Sequence, residues 1–373
     1  MNTVHVAAGG LLSALGDGDA LWSALLEGRS GLRPGLPFGT EKYVSDVGGW
    51  VEGLESPGQA RTEVLLRRLF AGYLDVSADT LLLTASTKAD IGRLEEHVRE
   101  GGEELSRALG HAPAALLQKM LSLESPQHRH INAACASGTI ALAIAAAMIA
   151  DGEADSVLVC AFDVMSEFVF SGFSALKALS PDPARPFDRE RGGLSLGEAG
   201  AYALLKSERR LRDEGGRSLG GIVGWGIASD ANHITAPSRE GTGLIAAVEQ
   251  ALARACIPAG DVAAIHAHGT GTVYNDAMEL TAFRSLFGRI PPLHSIKGAT
   301  GHTMGAAGVV ETLVALKSLE TGCIPPTVGL CVPDEAAGGC VSNVAQNFLG
   351  DCMLTTNSGF GGTNAALVLR RGV

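Results

Sequence analysis

The sequence has few charged residues, and basic residues are the scarcer kind. Charged residues make up 18% of the 373 residues, and 29 Lys and Arg stand against 40 Asp and Glu, a formal net charge of −11. An acidic balance argues against a nucleic-acid coat, which needs a basic surface. Hydrophobic residues make up 46% of the chain, and this share together with the low charge argues against disorder. We therefore expect a folded globular protein with no nucleic-acid partner.

The chain also lacks a long apolar run, a signal-peptide pattern and paired cysteines. The best apolar candidate, residues 139–150, is shorter than the ~18 residues that a membrane span needs, and Asp151 ends it. The N-terminal residues have no basic flank, and Gly9 and Gly10 interrupt them. The seven cysteines are an odd number without a CxxC spacing. These absences predict no membrane span and a cytoplasmic location with reduced thiols.

Phosphate-binding glycine motifs are absent as well, although glycine itself is abundant. The chain has 49 glycines, roughly twice ordinary usage. No GxxxxGK[ST] occurs, and no GxGxxG follows a strand and opens a helix. Glycines cluster instead in four small-residue turns that also carry candidate functional side chains: NAACASGT (132–139), AHGTGT (267–272), KGATGHTMGAAG (297–308) and NSGFGGTN (357–364).

Short apolar runs alternate with helical patterns, which predicts an α/β fold with largely parallel, buried sheets. The predicted strands cover residues 4–8, 80–84, 156–160, 201–205, 263–267 and 365–369, and the predicted helices cover residues 19–26, 61–73, 138–150, 243–255 and 308–319. A charged, glycine-containing stretch at residues 206–218 divides the chain into an N-terminal half, 1–215, and a C-terminal half, 216–373. Both halves follow the order strand, small-residue turn, helix, which favours a duplicated architecture.

Cys135 is the candidate nucleophile. It lies between Ala134 and Ala136, immediately before a long Ala- and Ile-rich helical pattern. The positive end of a helix macrodipole stabilises a thiolate and lowers the thiol pKa, and small neighbours leave the sulfur accessible. The alternative is a buried structural cysteine, which is the interpretation we prefer for Cys160 and Cys256.

Two histidines and a lysine in glycine-rich turns complete a catalytic constellation. His266 and His268 share one face of a predicted strand, but no carboxylate or thiol lies at a spacing that would complete a metal site. We therefore expect no metal. His302 lies five residues after Lys297 in the GHTMGAAG turn. Either histidine alone would be an ordinary structural residue, whereas together with Cys135 they indicate nucleophilic catalysis.

Further motifs extend this pattern over nearly the whole chain: LLEGRSGLRP (25–34), GFSALKALS (172–180), RPFDRERGGLSLGEAG (185–200), SDANHITAP (229–237), HGTGTVYNDAMEL (268–280), SIKGATGHTMGAAGVVE (295–311) and NSGFGGTNAALVL (357–369). In this order they resemble the β-ketoacyl-[acyl-carrier-protein] synthases of the elongating Cys-His-His type, in the thiolase superfamily. The resemblance implies a thiolase-like layered αβαβα fold built from two pseudo-symmetric halves.

The resemblance also implies an activity and a role for each site residue. Cys135 would carry an acyl group, and condensation with malonyl-acyl-carrier protein, with loss of CO2, would give 3-oxoacyl-acyl-carrier protein in fatty-acid or polyketide and polyene elongation. His268 and His302 would serve decarboxylation and stabilise the enolate, and Lys297, Glu311 and Asp276 would form a supporting network. Thr270 and Thr272 would contact the phosphopantetheine arm. Phe360 would be a gate, and its N–H would join that of Cys135 in an oxyanion hole.

The implied partner is an acyl carrier protein, which brings phosphopantetheine with the substrate, so no resident cofactor is expected. Arg61, Arg67 and Arg68, on one predicted helix, are candidates for docking the acidic carrier, and the alternative is a solvated helix face. A homodimer or a heterodimer with a related synthase-like subunit is implied as well. The stretch from residue 70 to 132 is shorter than in typical members, which leaves the acyl chain length and the subunit partner open.

Two other functions were considered. A chain-length-factor-like partner subunit resembles these enzymes but usually lacks the cysteine, whereas Cys135 is present here. A thiolase-type acyltransferase uses a second cysteine in the C-terminal glycine-rich turn, and NSGFGGTN has none, since Cys352 lies upstream of it. Ser358 stands where many members have phenylalanine, so the gate differs from the usual one.

Overall fold

The computed structural model describes residues 4–56, 59–101, 105–125 and 128–372. The strands in these ranges are β1 (Val4–Ser13), β2 (Gly16–Asp17), β3 (Gly48–Gly49), β4 (Leu81–Ala85), β5 (His128–Ile131), β6 (Ser156–Asp163), β7 (Leu196–Gly197), β8 (Ala199–Ser207), β9 (Gly220–Ser229), β10 (Ala264–His266), β11 (Leu293–His294), β12 (Cys323–Ile324), β13 (Gln346–Asn347), β14 (Cys352–Gly359) and β15 (Thr363–Arg371).

The α-helices alternate with these strands. They are α1 (Gly18–Leu26), α2 (Arg61–Leu69), α3 (Ile91–Glu100), α4 (His111–Met120), α5 (Ser137–Ala150), α6 (Glu167–Ala175), α7 (Glu208–Asp213), α8 (Thr242–Ala255), α9 (Val273–Phe287), α10 (Lys297–Thr300) and α11 (Ala307–Thr321). Short 3-10 helices lie at Leu105–Ala108, Ala259–Asp261, Met304–Ala306 and Glu335–Ala337.

Each half of the chain builds a five-stranded array with the same strand order. In the N-terminal half the order is β1–β8–β6–β4–β5, and in the C-terminal half it is β9–β15–β14–β10–β11. In both arrays the first two pairings are antiparallel and the last two are parallel. A short antiparallel pairing between β1 and β9 joins the arrays. The proposed division after residue 215 falls between α7 and β9 and stays a prediction.

The expectation of largely parallel sheets is wrong, because half of the pairings in each array are antiparallel. Parallel strands need a long crossover connection, which α5 supplies between β5 and β6. By contrast, β14 and β15 are joined through a tight turn at Gly361 and Gly362, whose φ angles of 87° and 75° favour glycine. Such a hairpin makes the strand pair antiparallel whatever the hydrophobic pattern of its strands.

The helices form three layers around the two arrays. Helices α5 and α11 contact each other and pack against strands of both arrays, so they form the middle layer. Helix α8 covers the outer face of the C-terminal array at β9 and β15, and α2 and α4 cover the outer face of the N-terminal array. The five-layer αβαβα arrangement that the resemblance implied is therefore present.

The middle layer depends on a close approach between the first turns of α5 and α11. Helix α5 has small and apolar residues on every side, which is typical of a helix buried all round. A Cβ atom added to Gly138 would lie 2.8 Å from the carbonyl oxygen of Gly305, and one added to Gly308 would lie 2.1 Å from Thr139 Oγ1. The two helix starts are therefore in backbone contact, and the turns that precede them are brought together.

Gly308→Ala should destabilise the fold by about 1–3 kcal/mol, because the added methyl group overlaps Thr139 unless α5 and α11 move apart. Gly172→Ala is the control, since a Cβ atom at this helical glycine would meet nothing within 4 Å. Urea unfolding followed by circular dichroism compares both variants with the parent. Equal midpoints for Gly308→Ala and the parent would contradict the close approach.

Candidate active site

Cys135 lies in the turn between β5 and α5, two residues before the helix begins. Ala134 adopts a φ angle of 49°, in the left-handed region, which costs a residue other than glycine of order 1–2 kcal/mol. Ser137 Oγ accepts the N–H of Ala133 at 2.8 Å and donates to the carbonyl of Ala134 at 2.6 Å. These bonds hold the turn in its strained conformation and fix the position of the sulfur.

Cys135 does not have the lowered thiol pKa that its place before a helix predicted, because burial has the largest effect. Burial raises the pKa of Cys135 to about 12, although the nearby charge of Lys297 lowers it. The backbone N–H of Phe360 donates to the sulfur, which also lowers this pKa. Because burial outweighs both effects, the resting thiol is protonated at neutral pH, and its reaction requires transfer of that proton.

His268 is presented by a loop that two buried carboxylates hold from α9. Glu279 accepts the backbone N–H groups of His268 and Gly269, each at 2.7 Å. Asp276 accepts the N–H of Thr270 at 3.0 Å, so its supporting contact is with the loop backbone. Burial and the neighbouring Asp276 charge raise the pKa of Glu279 to about 8. The backbone of the loop is thereby anchored at the histidine and at the two residues that follow it.

A second strained turn, between α10 and α11, presents His302. Gly301 and Met304 have φ angles of 74° and 51°. The N–H of Met304 lies 3.3 Å from His302 Nδ1, and His302 Nε2 is buried without a hydrogen-bond partner among the described residues. Asp163 accepts the N–H of Gly305 at 2.7 Å, and burial raises the pKa of this carboxyl to about 7. The turn leaves Nε2 as the free position of the ring.

A buried ion pair and an amide lie beside His268. Lys297 Nζ donates to Glu311 Oε1 at 2.5 Å and to the carbonyl oxygen of His268. Asn357 Nδ2 lies 2.7 Å from Glu311 Oε2 and 3.0 Å from His268 Nδ1. Thr139 donates to Asn357 Oδ1. The expected lysine–glutamate pair is therefore one part of a longer network that reaches α5.

Both imidazoles are neutral at physiological pH. The rings of His268 and His302 meet edge to face, with 5.1 Å between their centroids. Burial lowers the pKa of each ring well below its ordinary value, and the charge of Lys297 lowers it further. The site therefore offers two uncharged imidazoles, each with one N–H group and one acceptor nitrogen.

The turns open on one cavity of about 330 Å³. Among the residues identified from the sequence, those lining it are Cys135, His268, Thr270, Thr272, His302 and Phe360. Lys297, Glu311 and Asp276 lie behind this wall, and each is buried. The cavity thus brings residues of both halves of the chain to one surface.

The side of the cavity next to Cys135 is aromatic. The ring of Phe360 stacks on Phe173 from α6, with 5.5 Å between the ring centroids. Ser358 also lines the cavity, and its hydroxyl donates to Asn364 Oδ1 at 2.7 Å. Beside the expected gate residue Phe360, this chain therefore has a small residue bound to its neighbouring strand, and the aromatic contact comes from α6.

The three arginines proposed for carrier docking lie on α2, away from the residues that line the cavity. Arg61 donates to the fully buried carboxylate of Glu198 at 2.5 Å, so its positive charge balances a buried negative charge within the fold. Arg67 pairs with Glu63 at 2.8 Å and is half exposed, and Arg68 donates to the carbonyl of Glu52. Docking stays a prediction for Arg67 and Arg68, and the contacts of Arg61 are structural.

His266 and His294 form a second buried imidazole pair that the sequence analysis did not identify. They are neighbours across β10 and β11, with 4.3 Å between ring centroids, and none of their ring nitrogens has a hydrogen-bond partner among the described residues. Burial lowers the pKa of His294 to about 3. Within the described ranges, no group of three or more His, Cys, Asp or Glu side chains could hold a metal ion.

Sequence reasoning missed Glu279, Asn357, Thr139 and Asp163. Glu279 follows Asp276 by three residues on one helix, and two acidic residues at this spacing share a face, which was the available signal. Asn357 opens the NSGFGGTN turn that had been recognised for its glycines. Thr139 and Asp163 have no comparable signal, because each acts on a residue more than 140 positions away in the sequence.

Comparison with known proteins places the chain in a family. The model of the β-ketoacyl synthase N-terminal domain matches residues 82–210, and that of the β-ketoacyl synthase C-terminal domain matches residues 219–330. Among curated proteins, 3-oxoacyl-[acyl-carrier-protein] synthase 2 of Vibrio cholerae is 30% identical over 409 residues, covering 99% of both chains. The protein of the same name from Rhizobium meliloti is 37% identical over 262 residues, 67% of this chain and 62% of that protein.

The solved structures give the same result. The ishigamide ketosynthase/chain length factor superposes with a TM-score of 0.88 and 27% sequence identity, covering 99% of each chain.

No helix in the described residues is long and apolar enough to cross a membrane.

Acid should destabilise the protein through His294. Its pKa is about 3 in the folded state and about 6.5 in the unfolded chain. Below pH 6.5 this histidine is therefore protonated in the unfolded state and stays neutral in the folded state, which favours unfolding. Between pH 7 and pH 5 this histidine should therefore remove about 2 kcal/mol from the free energy of unfolding. His294→Leu should abolish that loss, as urea unfolding at the two pH values would measure.

His111→Leu, at an exposed position on α4, is the matched control and should keep the pH dependence of the parent. If His294→Leu and the parent lose the same free energy of unfolding between pH 7 and pH 5, the neutral buried state of His294 is disproved.

Proposed function

The chain belongs to the β-ketoacyl synthase family, and from this membership we propose that its cavity performs a decarboxylative Claisen condensation. An acyl group on Cys135 combines with malonyl-acyl-carrier protein to give 3-oxoacyl-acyl-carrier protein and CO2, in fatty-acid or polyketide elongation. The enzyme is an acyltransferase of the condensing type. The observation that carries the proposal is one thiol and two neutral imidazoles on a single cavity wall.

The first step is acylation of Cys135. Its sulfur attacks the carbonyl carbon of the acyl thioester, a new C–S bond forms, and the C–S bond to the carrier breaks. The thiol proton passes to the departing phosphopantetheine sulfur, so the step is balanced without an external acid. The backbone N–H of Phe360, which already points at the sulfur, joins the N–H of Cys135 in holding the carbonyl oxygen as it becomes an oxyanion.

The second step is decarboxylation of the malonyl group. The bond to its carboxylate breaks, CO2 leaves, and the electron pair remains as an enolate. Neutral N–H donors from His268 and His302 stabilise the enolate oxygen as negative charge develops on it. The enolate carbon attacks the acyl thioester, a C–C bond forms, and the Cys135 thiolate leaves and takes up one proton from solvent.

The thioester arm enters beside Thr270 and Thr272, whose hydroxyls lie 2.9 Å apart on the cavity wall. We assign these residues to the phosphopantetheine arm because hydroxyl groups suit its amides. The substrates bring this arm with them, so the reaction needs no resident cofactor and no metal. All seven cysteines are free thiols, which supports a reducing, cytoplasmic location.

The partner that we propose is an acyl carrier protein. Since the chain itself carries a net charge of −11, an acidic carrier requires a local basic surface. Arg67 and Arg68 supply one candidate surface, and Lys177 lines the cavity mouth. The names of both curated relatives specify an acyl-carrier-protein substrate, which supports the same partner.

A second synthase-like subunit completes the proposed assembly, either a copy of this chain or a related one. Strand β5 is the edge of the N-terminal array, and no described strand covers its outer side. An uncovered edge presents unpaired backbone groups that favour strand pairing with another chain. The likeness to the ishigamide ketosynthase/chain length factor supports a heterodimer of two related subunits.

Cys135→Ala should lose acyl transfer completely while remaining folded, because Cys135 is the one thiol among the described residues that line the cavity. Intact-mass measurement after incubation with acyl-carrier protein would show one acyl adduct in the parent and none in the variant. Cys331→Ala, at an exposed cysteine, is the control and should be acylated like the parent. An adduct that persists in Cys135→Ala, or that maps to Cys160, would disprove the assignment.

The double variant Arg67→Glu/Arg68→Glu should raise the apparent KM for malonyl-carrier protein roughly tenfold, because two attractive charges become repulsive. The control reverses two exposed arginines elsewhere, Arg212→Glu/Arg217→Glu, and changes the net charge equally. Steady-state rates at low ionic strength would compare the two variants. A KM that rises equally in both would remove α2 as the docking surface.

A further inference from the structure

We propose that Asn357 is the positioning residue that sets the tautomer of His268, and that Thr139 fixes Asn357 from the neighbouring helix. The proposal rests on the condensation proposed above, since it concerns which nitrogen of His268 faces the substrate. Asn357 lies on β14 and is fully buried.

Besides His268, the side chain of Asn357 has two hydrogen-bond partners, Glu311 and Thr139, and these determine the orientation of its amide. Glu311 Oε2 lies 2.7 Å from Asn357 Nδ2, and because Lys297 binds the other oxygen of this carboxylate, Glu311 can only accept. The hydroxyl of Thr139 lies against Asn357 Oδ1 as donor. A flipped amide would place two acceptors together at Glu311. The nitrogen of the amide therefore faces Glu311 and His268.

The second N–H of this nitrogen reaches His268 Nδ1 at 3.0 Å. Lys297 Nζ lies 3.3 Å from the same ring nitrogen, and after donating to the Glu311 carboxylate and to the carbonyl of His268 it has a third N–H for Nδ1. A nitrogen that receives a hydrogen bond must present its lone pair, so Nδ1 carries no proton. The neutral ring then bears its proton on Nε2, and we assign this choice to the amide as the nearer donor, with Lys297 as the second.

The same tautomer arises at His302 by a different contact. There the backbone N–H of Met304 approaches Nδ1 at 3.3 Å, which leaves Nε2 as the unpartnered position. The contacts at Nδ1 therefore make the two rings matched N–H donors through Nε2. Two such donors suit an enolate oxygen better than two opposed tautomers, of which one would present a lone pair to the anion.

The chain of contacts also crosses between the two halves of the protein. Thr139 lies on α5, four residues beyond Cys135, and its bond to Asn357 spans the close approach at Gly308. Displacement of α5 would therefore disturb the amide before it disturbed His268 directly. We infer that the nucleophile helix and the tautomer of His268 are coupled through this hydroxyl.

The test is Asn357→Leu, which keeps a similar volume and removes the donor. Two-bond 1H–15N correlation spectra of histidine-labelled protein distinguish the tautomers, and His268→Gln identifies the His268 signal. The parent should show the Nε2–H form, and Asn357→Leu should show a mixture or the Nδ1–H form. Condensation kcat should fall about 10- to 100-fold, while acylation of Cys135, followed by intact mass, stays complete.

Thr355→Val is the matched control, since this buried hydroxyl on the same strand has no hydrogen-bond partner among the described residues. It should leave both the His268 signal and kcat like the parent. Thr139→Val provides a milder variant should Asn357→Leu fail to fold, and it should move the tautomer in the same direction.

An unchanged Nε2–H signal with kcat within twofold of the parent, in either Asn357→Leu or Thr139→Val, would overturn the proposal. If the parent protein is not acylated at Cys135, the proposed function is overturned instead. The spectra report the tautomer without any substrate, so the two failures are distinguishable.

Discussion

The site depends on the close approach of α5 and α11. Gly138 and Gly308 let the two helix starts touch backbone to backbone, because a Cβ atom on either would overlap its neighbour. Cys135 precedes one of these helices and His302 precedes the other, so the distance between the helices sets the distance between nucleophile and imidazole. The matched strand order of the two arrays explains why each half contributes one such helix.

Burial then determines the charge state of the groups in the cavity. It raises the pKa of Cys135 and lowers the pKa values of both imidazoles, so the reacting groups are neutral at rest. The buried cation beside these groups, Lys297, is balanced by Glu311 at 2.5 Å, as a charge removed from water requires. A neutral site suits this chemistry, since the new negative charge on the thioester and enolate oxygens develops only during the reaction.

The acidic surface and the neutral cavity pose separate problems for a substrate carried on a protein. Docking needs a local basic surface on a chain with a net charge of −11, whereas the reaction needs backbone and imidazole donors arranged in advance. Glu279 and Asp276 serve the second need by holding the backbone of the His268 loop from α9. The geometry of the His268 loop is thus set by two residues that do not line the cavity.

Sequence alone pointed to Cys135, His268, His302 and Lys297 as candidate site residues, because each stands in a turn of small residues whose composition is visible locally. It predicted α5 from an unbroken apolar run but missed β9, whose glycines weaken the strand pattern. Those glycines are needed because a Cβ atom at Gly224 or Gly226 would lie within about 2 Å of carbonyls on α8. Only the tertiary structure decided the thiol pKa, the antiparallel pairings and the contacts of Asn357 with His268, Glu311 and Thr139. Burial, strand pairing and contacts between distant residues depend on the packing of both halves, which no local pattern contains.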